Sequence, residues 1–218
     1  MGKSDSKTFD YYPYRKENSL TCKNLPEKGM PFYKISQKFE IIAVRFALLS
    51  NLYCRVFYKK MLEKEMEMSN LQPGASVLHV GCGSYPYTAL YLAQKGLFVE
   101  AWDCNNAAVK KAGELIQKKN MADRVKVFCA DGCQISAHKH DAIWVSLNVS
   151  PKAKILEWAF YSLKDGGLLI FRNLPAWMSI NSCPDSTYAW SKLCHLEKNY
   201  SMLGTESVVV RKKNWISK

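Results

Sequence analysis

The sequence predicts a doubly wound α/β domain with a seven-stranded mixed sheet and an N-terminal helical cap. Three observations lead there. From Leu71-Gln72-Pro73-Gly74 onward, short apolar runs alternate with segments of helical period, the pattern of a parallel sheet covered by helices on both faces. One apolar run, Ser76–Val80, passes directly into Gly81-Cys82-Gly83 and then into an apolar helix. Near the end, His195–Leu203 and Glu206–Lys213 flank Gly204-Thr205 and read as an antiparallel hairpin added to the sheet.

Residues 1–34 are polar, aromatic and basic, with Pro13, Pro26 and Pro31 and no sustained period, so they read as an arm or lid. From Ser36 to about Asn70 apolar residues such as Ile41, Val44, Leu48, Leu52 and Val56 recur at three- and four-residue steps without Gly or Pro, which predicts helix. The uncharged stretch Phe46–Cys54 lies between Arg45 and Arg55 and falls short of the roughly 20 apolar residues of a membrane span. Residues 1–70 are thus expected to form an arm and helical cap, and residues 71–218 the main domain. In that domain the expected strands are Ser76–Val80, Leu97–Trp102, Val125–Ala130, Asp141–Leu147 and Leu168–Arg172. The expected helices are Tyr87–Lys95, Asn105–Lys119, a short piece near Cys133–Ala137, and Lys152–Leu163.

Composition sets the bounds. With 218 residues, 48% of them hydrophobic and 23% charged, the chain has material for one well-filled core. The formal charge of +12 is spread without a run of five basic residues, so solvated basic faces account for most of it and a nucleic-acid partner is not favoured. Eight cysteines include no CxxC pair, and several lie in apolar runs such as Val125–Cys129. Reduced, buried thiols fit a chain of this length better than a disulfide framework. Cys129 and Cys133 have no second pair nearby, so no metal site is expected. The first residues contain no apolar signal core, and the expected location is cytoplasmic.

The informative stretch is the glycine loop. Glycine lets the backbone turn tightly and approach a ligand without a Cβ clash, and the following helix N-terminus offers free N–H groups. Ser84 is expected to cap that helix and Pro86 to sit in its first turn. Asp103 follows about 20 residues later at the end of the second strand, the place of an acid that accepts ribose hydroxyls. Asp131 ends the third strand. Loop, Asp103 and Asp131 therefore share the sheet edge at which open α/β folds bind ligands. A nicotinamide or flavin loop would call for glycine where Pro86 stands, which disfavours a dinucleotide.

Gly81-Cys82-Gly83, Asp103, Asp131 and the turn Lys164-Asp165-Gly166-Gly167 before Leu168–Arg172 together resemble the class I S-adenosylmethionine-dependent methyltransferases, over about residues 70 to 213. The resemblance implies a Rossmann-like methyltransferase fold, S-adenosylmethionine as cofactor, and methyl transfer to a small-molecule acceptor. It places Gly81, Cys82 and Gly83 at the methionine moiety, Asp103 and its neighbour Cys104 at the ribose, and Asp131 with Gly132 at the adenine. His79 stands where the family usually has Asp or Glu, and Tyr85 where it usually has a small residue, so the aminoacyl end is expected to be held differently. His79 either orients the loop or packs. Gly81-x-Gly83-x-x-Pro86-x-Thr88 and the following Ala89–Ala93 are similar to the loop of nicotianamine-synthase-like enzymes. Those enzymes transfer the aminocarboxypropyl arm instead of the methyl group. Trp144–Lys154 and Phe171-Arg172-Asn173 resemble stretches of theirs, and Thr88 and Ser146 join the cofactor candidates.

The loop after the fourth strand, Ser146–Pro151, is expected beside the transferred group. Holding a nucleophile in line supplies most of such catalysis, and a base matters only when the acceptor must lose a proton. Asn148 and Tyr85 are the catalytic candidates. The loop lacks an Asp/Asn-Pro-Pro-aromatic motif and a Pro-Cys nucleophile, which further lowers the nucleic-acid reading. His138 and His140 read as surface histidines. Tyr11, Tyr12, Tyr14, Phe32, Tyr33, Arg15, Lys16, Lys34 and Arg45 would give an aromatic, basic lid suited to an acidic or planar small molecule, an anionic lipid or RNA. The remaining alternative is an inactive RNA- or protein-binding module on the same fold.

Overall fold

A computed structural model of the chain describes residues 58–135, 139–173, 193–201 and 205–213. The expected arm, most of the cap, His138 and Gly204 lie outside these residues. Helix α1 (Lys59–Ser69) is built from strong helix formers and ends at Asn70, whose left-handed backbone lets its N–H return to the carbonyl of Met66. There follow β1 (Ser76–Val80), α2 (Tyr87–Gln94), β2 (Phe98–Asp103), α3 (Asn106–Lys118), β3 (Val125–Cys129), β4 (Ala142–Val145), α4 (Lys152–Ser162), β5 (Leu168–Asn173), β6 (Cys194–Tyr200) and β7 (Glu206–Lys212).

The seven strands form one sheet in the order β3-β2-β1-β4-β5-β7-β6. Strands β1 to β5 are parallel, and β7 joins β5 and β6 antiparallel. The chain winds outward from β1 to β3 and then returns to β4 beside β1, so the direction of winding reverses between these two strands. Alternate residues serve opposite faces. Val77, Val99, Ala101, Trp144, Leu168, Ile170 and Val209 pack with α1, α2 and α3. Leu78, Val80, Ile143, Val145, Leu169, Phe171 and Val208 pack with α4. This is the doubly wound mixed sheet that the sequence predicts, with strand ends shifted by up to three residues.

Four expectations are corrected. Cys129 is exposed, not buried, because β3 is the outer strand and, among the described residues, has no neighbour on its far side. Ser84 does not cap α2; Pro86 occupies the N-cap position and supplies no side-chain bond. The piece near residue 133 is a single 3₁₀ turn, Gly132–Gln134, closed by the Asp131 carboxylate. His140 is only 9% exposed; its Nδ1 lies 2.9 Å from Ser76 Oγ and its Nε2 3.7 Å from Glu100 Oε2.

One buried charge ties α1 to the sheet. Glu65, fully buried, accepts bonds from Arg172 Nε and Nη2 on β5 (2.8 and 2.7 Å), Ser207 Oγ on β7 (2.7 Å) and Trp144 Nε1 on β4 (2.9 Å). Burial pushes its pKa up, but the Arg172 charge and the four bonds outweigh that and hold it below the ordinary value. Removing one member of such a pair leaves an uncompensated buried charge. We expect Glu65→Ala to lose roughly 3–5 kcal/mol in urea unfolding, and Glu65→Leu with Arg172→Met to recover most of it. Equal losses in the single and double variants would sink this account.

Candidate active site

At the carboxyl ends of β1 and β2 the backbone folds back on itself. The N–H groups of Gly81 and Cys82 both donate to the carbonyl of Trp102, at 2.8 and 3.0 Å. Gly81 and Gly83 have φ of +80° and +65°, conformations that cost little only for glycine. A Cβ at Gly81 would stand 2.5 Å from Val149 Cγ1 and 3.3 Å from Ser146 Cβ. The glycine therefore also lets the loop after β4 close against the loop after β1.

Asp103 fixes this turn from the neighbouring strand. Its Oδ2 accepts from Gly83 N at 2.8 Å and its Oδ1 from Asn105 N at 2.9 Å. Asn105 in turn caps α3 by accepting from Ala107 and Ala108. Asp131 accepts from Cys133 N at 2.8 Å, and a Cβ on its neighbour Gly132 would approach Val80 Cγ1 to 2.8 Å. The expected ribose and adenine acids thus also organise the loops that carry them.

His79 is 2% exposed. Its Nε2 lies 2.9 Å from Ser146 Oγ, while its buried Nδ1 has no hydrogen-bond partner. Burial and, secondarily, the Arg172 charge lower its pKa to about 3, so the ring is neutral near pH 7. Arg172 also donates from Nη1 to Thr88 Oγ1 at 3.3 Å, and its guanidinium lies 5.9 Å from the Tyr58 ring centre. Thr88 is buried. Cys82 is buried and Cys104 exposed; partial desolvation of its sulfur and then the Asp103 charge raise the Cys104 pKa. Tyr85 stacks on Tyr87 with ring centres 6.4 Å apart, and Asn148 is exposed on the loop after β4.

The structure brings His79, Gly81, Cys82, Gly83, Asp103, Asp131 and Ser146 to one edge, where the winding reverses. The sequence reading missed Glu65, Arg172 as its partner, and Lys152. Arg172 carried a signal, a charge closing the apolar run Leu168–Phe171. Lys152 begins α4, and its ammonium donates to the carbonyls of Leu147, at 3.4 Å, and of Arg172. Burial and then the Arg172 charge lower its pKa to about 8. Among the described residues no group of three or more His, Cys, Asp or Glu could hold a metal ion, and no helix is long and apolar enough to cross a membrane.

The sequence model of the protein-L-isoaspartate(D-aspartate) O-methyltransferase family matches residues 54–174, more than half of the chain. An L-histidine 2-aminobutanoyltransferase from Yersinia pestis is 29% identical over 128 residues, 58% of this chain and 48% of that protein. A ubiquinone/menaquinone biosynthesis C-methyltransferase, UbiE, from Vibrio cholerae is 24% identical over 151 residues, 66% and 58% of the two chains. This chain spans about half the length of these curated relatives. Among solved structures, the nicotianamine synthase MtNAS, as a variant in complex with S-adenosylmethionine, superposes with a TM-score of 0.71 at 17% identity. The match covers 84% of this chain and 75% of that one. An S-adenosylmethionine-dependent methyltransferase from Aquifex aeolicus gives 0.57 at 19% identity, over 73% and 92% of the chains. At these identities both structures show the shared fold.

The neutral His79 ring has a measurable consequence. The folded state keeps it unprotonated down to about pH 3, whereas the unfolded chain takes up a proton below about 6.5. Its stabilising contribution is complete above pH 6.5 and falls by up to about 1.4 kcal/mol per pH unit below it. His140, also lowered by burial, acts in the same sense. We expect His79→Asn to flatten the decline of unfolding free energy between pH 6.5 and 5. Identical slopes in the wild type and the variant would show that the ring is not held neutral.

Proposed function

We propose, starting from the fact that the chain belongs to the protein-L-isoaspartate(D-aspartate) O-methyltransferase family and so to the class I S-adenosylmethionine-dependent superfamily, that it transfers the methyl group of S-adenosylmethionine to a small-molecule acceptor. The observation that carries this reading is the glycine loop pinned by Asp103 where the sheet reverses its winding. The residues present fit the cofactor. The loop approaches without side chains at Gly81 and Gly83, and Asp103 and Asp131 stand at the ends of β2 and β3. The buried Nδ1 of His79 is without a partner beside the loop.

When bound there, S-adenosylmethionine supplies an electrophilic carbon on a sulfonium, already a good leaving group. The chain's own part is to orient and to exclude water. Gly81–Gly83 would border the methionine moiety, with Cys82 buried beneath it. Asp103 has lone pairs beyond the two bonds it already accepts and would take the ribose hydroxyls, with Cys104 beside it. Asp131 and Gly132 would border the adenine. Ser146, held by His79, and Asn148 would lie on the loop facing the acceptor, and Tyr85 stands just before the N-cap of α2.

A second reading is favoured by one specific observation. The relative at 29% identity is a 2-aminobutanoyltransferase, and the loop Gly81-x-Gly83-x-x-Pro86-x-Thr88 suits the same chemistry. In that reading the sulfonium gives up its aminocarboxypropyl arm. The cluster of His79, Thr88 and Arg172 beside the loop replaces the acid usual at the strand position of His79, a change at the end where that arm would lie.

The reading is checked by calorimetric titration of the purified chain with S-adenosylmethionine. We expect saturable one-to-one binding, weakened at least tenfold, about 1.4 kcal/mol, in Asp103→Asn. Turnover that releases S-adenosylhomocysteine supports methyl transfer, and methylthioadenosine supports the second reading. Absence of binding at millimolar cofactor, with RNA bound instead in a steeply salt-dependent way, would leave the fold as a binding module.

A further inference from the structure

The sheet is not covered evenly. Strands β2 and β3 carry α2 and α3 on one face, against Val99, Ala101 and Val125. On the other face α4 packs over β1, β4 and β5 and reaches β2 only at Trp102. The connection from β3 to β4 forms, among the described residues, a single 3₁₀ turn, too short to close that face. The even-numbered residues of β2 and β3 are therefore the less buried ones. Phe98 is 47% exposed and Phe128 43%, and Lys126 is exposed. Parallel strands are ordinarily buried on both faces, and clustered exposed apolar side chains mark an interaction surface.

The pattern of side chains on this face is self-complementary. Glu100, whose side chain is 34% exposed, stands in register beside Lys126, and Trp102 beside Phe128. One residue before the ladder's first pair, the Arg124 guanidinium lies over the Phe98 ring, 4.7 Å from its centre. Trp102 Nε1 donates to Glu100 Oε1 at 2.9 Å, and His140 Nε2 lies 3.7 Å from Oε2, which holds the carboxylate in place. A twofold axis running along the strands, midway between β2 and β3, exchanges the members of each row. It sets Glu100 of one copy against Lys126 of the other, Trp102 against Phe128, and Phe98 against Arg124, each of them twice. Sheets packed face to face stand about 10 Å apart, which side chains of this length span from both sides. An isologous contact needs one patch that complements itself in this way. RNA or an acidic peptide would instead meet the Glu100 carboxylate at the centre of the patch.

We propose that the open face of β2 and β3 is the surface through which two copies of this chain associate, sheet face against sheet face. The contact is separate from the glycine-loop site and holds whichever group is transferred there. Six side chains per copy make a small interface, of the class that forms and separates with concentration. The aromatic side chains supply the burial, and the two Glu100–Lys126 pairs set the orientation.

The test is sedimentation equilibrium of the full chain from micromolar to millimolar concentration. We expect a monomer–dimer equilibrium, weakened at least about tenfold in Lys126→Glu, which brings like charges together at two places, and similarly in Phe128→Asp. Glu100→Lys alone is expected to fail in the same way. An equimolar mixture of Glu100→Lys and Lys126→Glu is expected to dimerise again, because both charge contacts of the mixed pair join opposite charges. Melting curves report whether each variant folds. Should Glu100→Lys not fold, Lys126→Glu and Phe128→Asp decide without it. The proposal is overturned if the wild type stays monomeric up to millimolar concentration, if Lys126→Glu and Phe128→Asp dimerise as well as the wild type, or if the folded mixed pair does not recover. A monomer whose Phe98 and Phe128 resist hydroxyl-radical labelling would show the face covered by another part of this chain. A monomer protected there only by added RNA or polyglutamate would assign the face to that partner, and either result also overturns the proposal.

Discussion

The Glu65–Arg172 pair is the constraint on which the site's arrangement depends. A carboxylate and a guanidinium removed from water are stable only when nearly every lone pair and N–H is met. Here the partners come from α1, α2, β4, β5 and β7. The pair does little for net stability compared with a well-packed apolar alternative. What it does is fix positions. Arg172 can be satisfied in one place only, and that place sets Thr88 at the start of the helix that leaves the glycine loop. The Arg172 charge then acts on both His79 and Lys152. The helix before the sheet is thereby linked to the two polar groups nearest the proposed reaction.

Asp103 has a comparable double duty on the other side of β1. A carboxylate that accepts from Gly83 N and Asn105 N holds the loop and the start of the next helix in one geometry. The backbone around it is set before any ligand arrives. Such preorganisation lowers the entropic cost of binding, and it explains why an acid there is tied to the glycine positions by spacing as well as by ligand chemistry.

Much of this was legible in the sequence. Strand–helix alternation, the apolar run into Gly81-Cys82-Gly83 and the terminal hairpin gave the sheet and its ligand edge, because these depend on local period and on glycine. Asp103 and Asp131 were legible for the same reason: each directly follows an apolar run. What was not legible depends on contacts distant in sequence. Glu65 and Arg172 are separated by 107 positions, and nothing local marks a glutamate in a charged helix as buried. Cys129 was read as interior from its apolar neighbours, yet strand order alone decides that β3 is the outer strand. The polar connection around it placed His140 at the surface, although Ser76 and Glu100 enclose it.

The two halves of the ligand edge differ in the charged groups they carry. Asp103 spends two lone pairs on backbone N–H groups and has others, so its half attracts hydroxyl and amine donors. Across β1, among the described residues, Glu65 and Glu206 are taken up by internal partners, and the Lys152 ammonium is bonded to the carbonyls of Leu147 and Arg172. On the proposed reading a donor-rich nucleoside lies on the Asp103 side of β1, with the rest of the molecule across it. Its sulfonium would then fall near β1 and β4, the strands between which the winding reverses. The same edge would serve either transfer chemistry, because which carbon leaves the sulfonium depends on which of its neighbours faces the loop after β4. His79 and Ser146 stand at that junction, and the neutral, half-satisfied imidazole is the group there whose bonding is still open.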